Sequence, residues 1–307
     1  MDDLDFSNTP PAPVPAPAQP APAPVAAKPP PAPEAASVYE PKLALAFFKL
    51  AGSLEQFAAG TQIFAENEKT AGFFSKGARI YLLLDGDVAL TRGGKPLELV
   101  LPGEIFGEMA AIAEMPRSAT ATARKACRVL WLDEKAFLNS LQQMPEFALM
   151  LMSVMAQRLR RGLGRLAAAN KPSVEALEHA NTLDRKMLAE LQQALGDPTP
   201  ARAAAGKTVV TQGAVGACMF VVTEGGIAIS VDDKVVERVG PGGAFGEMAL
   251  VDSSGRSASA TAETDCTWLL VGKNEFLAMV KTRPAFGIAL MRSMSARVLH
   301  IGKLLGG

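Results

Sequence analysis

Short apolar runs punctuated by glycine dominate the middle of each half of the chain. Ile80-Tyr81-Leu82-Leu83-Leu84 stops at Asp85-Gly86, Val88-Ala89-Leu90 stops at Arg92-Gly93-Gly94, and further runs follow at 119–122 and 129–132. Runs this short, separated by turn residues, predict a β-sandwich or β-roll, because βαβ units would place helical repeats between the strands. The period then changes. Asp133 stands as a helix N-cap before Ala136, Phe137, Leu141, Phe147, Leu151, Val154, Met155 and Leu159, which recur at helical spacing. Pro145 interrupts that run, since proline inside a helix removes a backbone donor and clashes with the preceding turn, so two helices are predicted. Residues 173–195 place Leu177, Ala180, Met187, Leu191 and Leu195 along one side and read as a linking helix. Asp184 spoils that stripe, which favours packing on its own domains over an intermolecular coiled coil.

The pattern occurs twice. Phe106-Gly107-Glu108-Met109-Ala110 returns as Phe245-Gly246-Glu247-Met248-Ala249, 139 positions later. The same offset carries Gly86 to Gly225, Arg117 to Arg256, Ser118 to Ser257, Cys127 to Cys266, Phe137 to Phe276, Pro145 to Pro284 and Arg158 to Arg297. Two copies of one domain are therefore present. Upstream the register breaks, because the first copy carries a seven-residue insertion around 67–75, which is expected in a surface loop. The fold class predicted is mainly β with flanking α: two tandem β-rolls, each followed by C-terminal helices. The organisation read from the chain is a disordered Pro/Ala-rich tail at 1–37, a first domain at 38–165, a helical linker at 166–200 and a second domain at 201–307.

The repeated segment 103–111 brings glycines to a turn and follows them with good helix formers. The first amides of such a helix are unsatisfied and sit at the positive end of its dipole, so the turn can hold an anion, and glycine lets a phosphate come close. Nine residues after Glu108 comes Arg117, whose planar fork can grip two phosphate oxygens. A carboxylate beside a phosphate cradle would repel the ligand unless it faces a donor, so Glu108 is assigned to a sugar hydroxyl. Amide cradle, arginine and hydroxyl-reading carboxylate together describe a site for a phosphorylated ribose. The alternative is a Glu108–Arg117 pair in a roll that has lost its ligand. An isolated buried ion pair is seldom a net stabiliser, so its retention in duplicate favours binding.

Phe-Gly-Glu-Met-Ala followed by Pro116-Arg117-Ser118-Ala119-Thr120 resembles the phosphate-binding cassette of the cyclic nucleotide-binding domain family, shared by catabolite activator proteins, protein kinase A regulatory subunits and nucleotide-gated channels. The second copy, 245–250 followed by Gly255-Arg256-Ser257-Ala258, resembles it equally. The resemblance implies a first ligand site at Gly107, Glu108, Met109, Ala110, Arg117 and Ser118, and a second at Gly246, Glu247, Met248, Ala249, Arg256 and Ser257. It further implies a non-enzymatic receptor for a 3′,5′-cyclic nucleotide, cAMP ahead of cGMP, acting through a separate protein effector, with a homodimer left open. A degenerate tandem β-roll scaffold that binds partners without nucleotide is the alternative. Ala111 and Gly255 depart from the residues usual in the family, Leu and Pro, and neither change removes a phosphate or ribose contact.

Composition narrows the partners. Hydrophobic residues make up 49% of the chain, enough for buried cores, and Lys plus Arg equal Asp plus Glu at 31 each, so no basic excess points to nucleic acid. No apolar stretch approaches the roughly 18 residues of a membrane span, and the start Met-Asp-Asp-Leu-Asp lacks the features of a secretory signal, which predicts a cytoplasmic chain with free thiols. Three scattered cysteines and two histidines argue against a tetrahedral metal site, and no cofactor is predicted. Cys127, Cys266, Trp131 and Trp268 read as packing residues. The chain stops at Gly307, a few residues past the last helix, so neither a DNA-reading module nor an added enzyme domain is predicted. Residues 8–33 are almost entirely Pro, Ala and Val and form an acidic-flanked extended tail, a spacer or a docking segment. It holds no basic inhibitory stretch, so a kinase partner is not predicted.

Overall fold

The computed structural model describes residues 39–70, 77–169, 176–178, 182–252 and 254–306. The predicted tail and parts of the 67–75 and 173–195 segments lie outside the described residues. A short helix α1 (Pro41–Phe48) opens the first copy. Its strands are β1 (Ser53–Phe57), β2 (Gln62–Phe64), β3 (Ile80–Asp85), β4 (Val88–Arg92), β5 (Lys95–Val100) and β6 (Ile105–Phe106). Helix α2 (Glu108–Ala113) precedes β7 (Thr120–Ala123) and β8 (Cys127–Leu132), and α3 (Glu134–Gln143) and α4 (Pro145–Ala168) close the copy. Between the copies lie β9 (Leu177–Glu178) and α5 (Arg185–Ala194). The second copy runs β10 (Ala201–Ala203), β11 (Thr208–Val210), β12 (Cys218–Glu224), β13 (Ile227–Val231), β14 (Lys234–Val239) and β15 (Ala244–Phe245). It ends in α6 (Met248–Asp252), β16 (Ser259–Ala262), β17 (Cys266–Gly272), α7 (Lys273–Thr282) and α8 (Pro284–Gly306).

Each copy is a roll of two antiparallel sheets, β1-β8-β3-β6 over β2-β7-β4-β5 and β10-β17-β12-β15 over β11-β16-β13-β14. Alternating side chains fill the space between them: Phe64, Tyr81, Leu83, Phe106 and Val129 in the first, Phe220, Val222, Ile227, Phe245 and Trp268 in the second. Cys127 and Cys266 are buried in these cores, and Trp131 lies under the Arg79 guanidinium at 3.8 Å. Both prolines split their helical runs as the pattern requires, and Asp133 accepts from Ala136 N at 2.7 Å as the N-cap of α3.

The helices form one apolar layer between the rolls. Phe47 of α1 stacks on Phe147 of α4 at 3.7 Å, and Phe137, Phe276, Phe286, Met152, Met155, Met291 and Met294 are buried in the same cluster. Helices α4 and α8 pack along each other, and each reaches the opposite copy, α4 onto α6 and α8 onto α2. The crossing repeats the internal symmetry: Ser153 Oγ of α4 donates to Val251 O at 3.2 Å, and Arg292 Nε of α8 donates to Ile112 O at 3.2 Å.

Four sequence readings change. Among the described residues the linking helix is α5 alone; Leu177 and Glu178 are extended and pair in parallel with Glu237 and Arg238, adding a fifth strand to the second roll. Asp184 does not spoil a stripe but caps α5, accepting from Met187 N at 2.8 Å, and Leu191 is buried in the common helical cluster. The boundary at 165/166 cuts a helix, since α4 continues to Ala168. The insertion also begins later than residue 67. Asn67 N donates to Arg117 O and Arg117 N to Glu68 O, as Gly213 N does to Arg256 O and Arg256 N to Ala214 O, so both copies are in register through Glu68.

Candidate functional site

In each roll a left-handed glycine turns the chain from the last short strand into the cassette helix. Gly107 has φ +79° and Gly246 φ +82°, a region that costs other residues dearly. A Cβ on Gly246 would lie 2.6 Å from Arg256 Nη1. That closeness follows from the arginine's anchoring. Arg117 Nη1 donates to Gly107 O and Nη2 to Arg79 O, both at 2.9 Å, with the guanidinium 4.2 Å over the Phe64 ring. Arg256 repeats the pattern on Gly246 O at 2.8 Å and Cys218 O at 2.6 Å. Burial lowers the pKa of Arg117, against the pull of Tyr81, Glu68 and Glu108; an arginine so shifted is still a cation at neutral pH. Its Nε is buried with no partner.

The carboxylates do not pair with these arginines. Glu108 is met instead by Arg158 of α4, Nη1 to Oε1 at 2.5 Å, and Glu98 of β5 stands 3.7 Å from the same guanidinium. In the second copy Arg297 of α8 binds Glu247 at 2.6 Å, Glu237 of β14 at 3.1 Å and Ala244 O at 2.5 Å. Glu98, Glu108 and Arg158 lie 139 positions before Glu237, Glu247 and Arg297, so each copy holds one arginine between two acids. Glu108, followed by Glu98, raises the pKa of Arg158; around Arg297 burial works downward, but Glu237 and Glu247 together outweigh it and the net shift is upward. Glu247 is 1% exposed, and its Oε2 has no donor.

All twelve residues assigned from the sequence line one or other of two cavities. Gly107, Glu108, Met109, Ala110, Arg117 and Ser118 surround a space of about 330 Å³; Gly246, Glu247, Met248, Ala249, Arg256 and Ser257 surround one of about 90 Å³. Each cavity has a wall from the opposite copy: Val298, Leu299 and Leu305 of α8 line the first, and Leu159, Arg160 and Leu163 of α4 line the second. Sequence reasoning missed Arg158, Arg297, Glu98 and Glu237. Their signal was the shared offset, which marked the two arginines as repeated without saying what they hold. The carboxylates were assigned to ligand alone, whereas each also anchors a helix. The arrangement offers an anion a buried guanidinium beside a glycine turn, and offers a hydroxyl a carboxylate oxygen held in place by an arginine. Among the described residues no cluster of His, Cys, Asp and Glu could hold a metal ion, and no helix is long and apolar enough to cross a membrane.

A model of the cyclic nucleotide-binding domain matches residues 54–144 and 200–283, together more than half of the chain. A cAMP-dependent protein kinase regulatory subunit from Yarrowia lipolytica is 27% identical over 238 residues, 74% of this chain and 57% of that protein. A CRP-like cAMP-activated global transcriptional regulator from Mycobacterium tuberculosis is 29% identical over 133 residues, 42% of this chain and 56% of its own. The chain thus spans somewhat over half the length of these relatives. Among solved structures, the regulatory domain of Toxoplasma gondii PKA with cAMP is 20% identical, with 77% of this chain and 85% of that chain covered at a TM-score of 0.30.

Proposed function

The chain belongs to the cyclic nucleotide-binding domain family, and on that premise we propose that it is a cytoplasmic receptor with two sites for a 3′,5′-cyclic nucleotide, without catalysis of its own. Arg117 and Arg256 take the cyclic phosphate with the amides after Gly107 and Gly246. Glu108 and Glu247 take the ribose hydroxyl. Ser118 and Ser257 stand at the phosphate or base edge, and Met109, Ala110, Met248 and Ala249 form the floor. We take cAMP ahead of cGMP as ligand, a choice supported by the names of the Yarrowia and Mycobacterium relatives, although a cGMP-dependent protein kinase from Drosophila melanogaster is also among the relatives.

One observation carries the reading: the cassettes hold two unsatisfied buried polar atoms of opposite kind, a donor at Arg117 Nε and an acceptor at Glu247 Oε2. An unmet buried group costs about 1 to 3 kcal/mol. A ligand bearing both an anionic acceptor and a hydroxyl donor would remove that cost at both kinds of position. An ion pair internal to the cassette would have left neither, and none forms between Glu108 and Arg117 or between Glu247 and Arg256, since both glutamates go to helix arginines.

Output follows from where those helix arginines sit. Arg158 and Arg297 tie α4 and α8 to Oε1 of the ribose-reading carboxylates, so a hydroxyl arriving at Glu108 or Glu247 joins a carboxylate that also holds a helix. The ligand shifts the helix packing by its differential affinity for the two arrangements and no further. A separate protein reads that packing; the tail predicts no kinase partner, but the name of the Yarrowia relative, a cAMP-dependent protein kinase regulatory subunit, supports a protein kinase as one such effector. A different reading, a roll that takes no ligand in this arrangement, is favoured for the second site alone by its cavity of about 90 Å³, well under the roughly 300 Å³ of ordinary ligand pockets.

Calorimetric titration of the purified chain with cAMP and cGMP tests the proposal. Binding should be seen, and Arg117→Ala and Arg256→Ala should each weaken one site by about 1.5 to 3 kcal/mol, the worth of a charge-assisted contact. A double variant that binds as tightly as the parent would show the phosphate contacts to be misassigned.

A further inference from the structure

The two cavities carry different charge although the cassettes are near copies. Among the arginines that line the second, all but one have an acid. Arg297 lies between Glu237 and Glu247, and Arg160 of α4 grips both oxygens of Asp252 at 2.5 and 2.9 Å. Arg256 is left to meet an anion, which suits the single negative charge of a cyclic mononucleotide.

The first cavity is built otherwise. Among the described residues, five arginines and two glutamates line it. Arg158 engages both acids, and Arg117 is the cation assigned to the cyclic phosphate. Arg92, Arg161 and Arg165 remain, with no acid among the described residues within salt-bridge distance. Arg92 Nε donates to a backbone oxygen, that of Ser118, at 2.9 Å. At the positions 139 residues on, the second copy has Val231, His300 and Leu304, so the surplus of cations belongs to the first copy. Arg158, Arg161 and Arg165 are spaced by three and four and share one face of α4. At a rise of 1.5 Å per residue, Arg165 lies roughly 10 Å along the helix from Arg158, which holds the ribose-reading Glu108. Arg161 and Arg165 are exposed, so their charge stands at the mouth of the cavity. Like charges four residues apart on a helix repel, and an anion between them turns that repulsion into attraction.

Resting on the two-site reading above, we infer that the first site takes a nucleotide with a second phosphate, of the cyclic dinucleotide class. One phosphate sits at Arg117 and the Gly107 turn, a ribose hydroxyl at Glu108, and the second phosphate between Arg161 and Arg165, with Arg92 adding to the positive field of the cavity. Arginine suits that place because its planar fork takes two phosphate oxygens at once. A cyclic mononucleotide reaches Arg117 and Glu108 and leaves the other cations unanswered. The two cassettes thereby differ in ligand: one phosphate in the second, two in the first.

The test uses the full chain carrying Arg256→Ala, so that calorimetric titration reads the first site, with cAMP, cyclic di-GMP and cyclic di-AMP as probes. At least one dinucleotide should bind tighter than cAMP by on the order of tenfold or more, as expected from one added charge-assisted contact. Adding Arg161→Gln and Arg165→Gln, which keep good helix formers on an exposed face, should remove that advantage and weaken cAMP far less. The same pair is placed in the parent chain, so the outcome does not hang on the folding of Arg256→Ala. Raised salt should weaken the dinucleotide more than cAMP. Dinucleotides that bind no tighter than cAMP, or a double variant that weakens cAMP and dinucleotide alike, overturn the second-phosphate site and leave the receptor reading standing. A parent chain that binds none of the three probes, nor cGMP, overturns the receptor reading and this inference with it.

Discussion

Arg297→Ala is the substitution whose cost the structure specifies most closely. Arg297 is buried at 9% exposure and makes three charge-assisted contacts, to Glu247 at 2.6 Å, Glu237 at 3.1 Å and Ala244 O at 2.5 Å. Truncation leaves Glu247, at 1% exposure, without its cation and removes Arg297 from Glu237. Breaking a buried pair by removing one partner costs about 3 to 5 kcal/mol, mostly the penalty of the stranded charge. With a urea slope of about 3 kcal/mol/M, the midpoint should fall by roughly 1 to 1.7 M, with the slope itself unchanged. Arg158→Ala should cost less, because Arg158 is 29% exposed, Glu98 is 51% exposed and water screens both. Urea melts followed by circular dichroism measure both variants. A loss below 1 kcal/mol for Arg297→Ala would refute the view that Arg297 neutralises the desolvated Glu247.

Two further outcomes are expected. Gly246→Ala forces a side chain into φ +82° and against Arg256 Nη1, so it should destabilise the chain by about 1 to 3 kcal/mol and weaken nucleotide binding at the second site, while Gly206→Ala, left-handed at φ +81° but facing open space, should keep binding intact; equal binding losses for the two would show that the approach to Arg256 is immaterial. Iodoacetamide at pH 8 should alkylate Cys218 first, because Cys127 and Cys266 are buried and burial pushes both thiols up, leaving little thiolate; modification of all three at one rate in the native chain would contradict the assigned strands.

Local pattern alone determined much of this protein. Turn glycines and short apolar runs marked the strands, Pro145 and Pro284 split the helical runs, Asp133 marked a cap, and the offset of 139 exposed the duplication with every cassette residue in place. Such features are legible because they rest on the backbone's own limits, φ at glycine, the missing donor of proline, the orphan amides of a helix start, all of which act within a few residues. The linker was misread for the same reason: spacing of apolar residues cannot distinguish a helix from a two-residue strand, β9, that exists only because the edge of β14 is there to receive it. Only the tertiary structure decided what the long helices face. Periodicity gives a helix an apolar side but not a partner, and the pairs that matter here, Arg158 with Glu108, Arg297 with Glu247 and Arg160 with Asp252, join residues 50, 50 and 92 positions apart. A charge on a helix surface reads the same whether it meets water or a buried carboxylate. Which it meets is set by the crossing of α4 and α8.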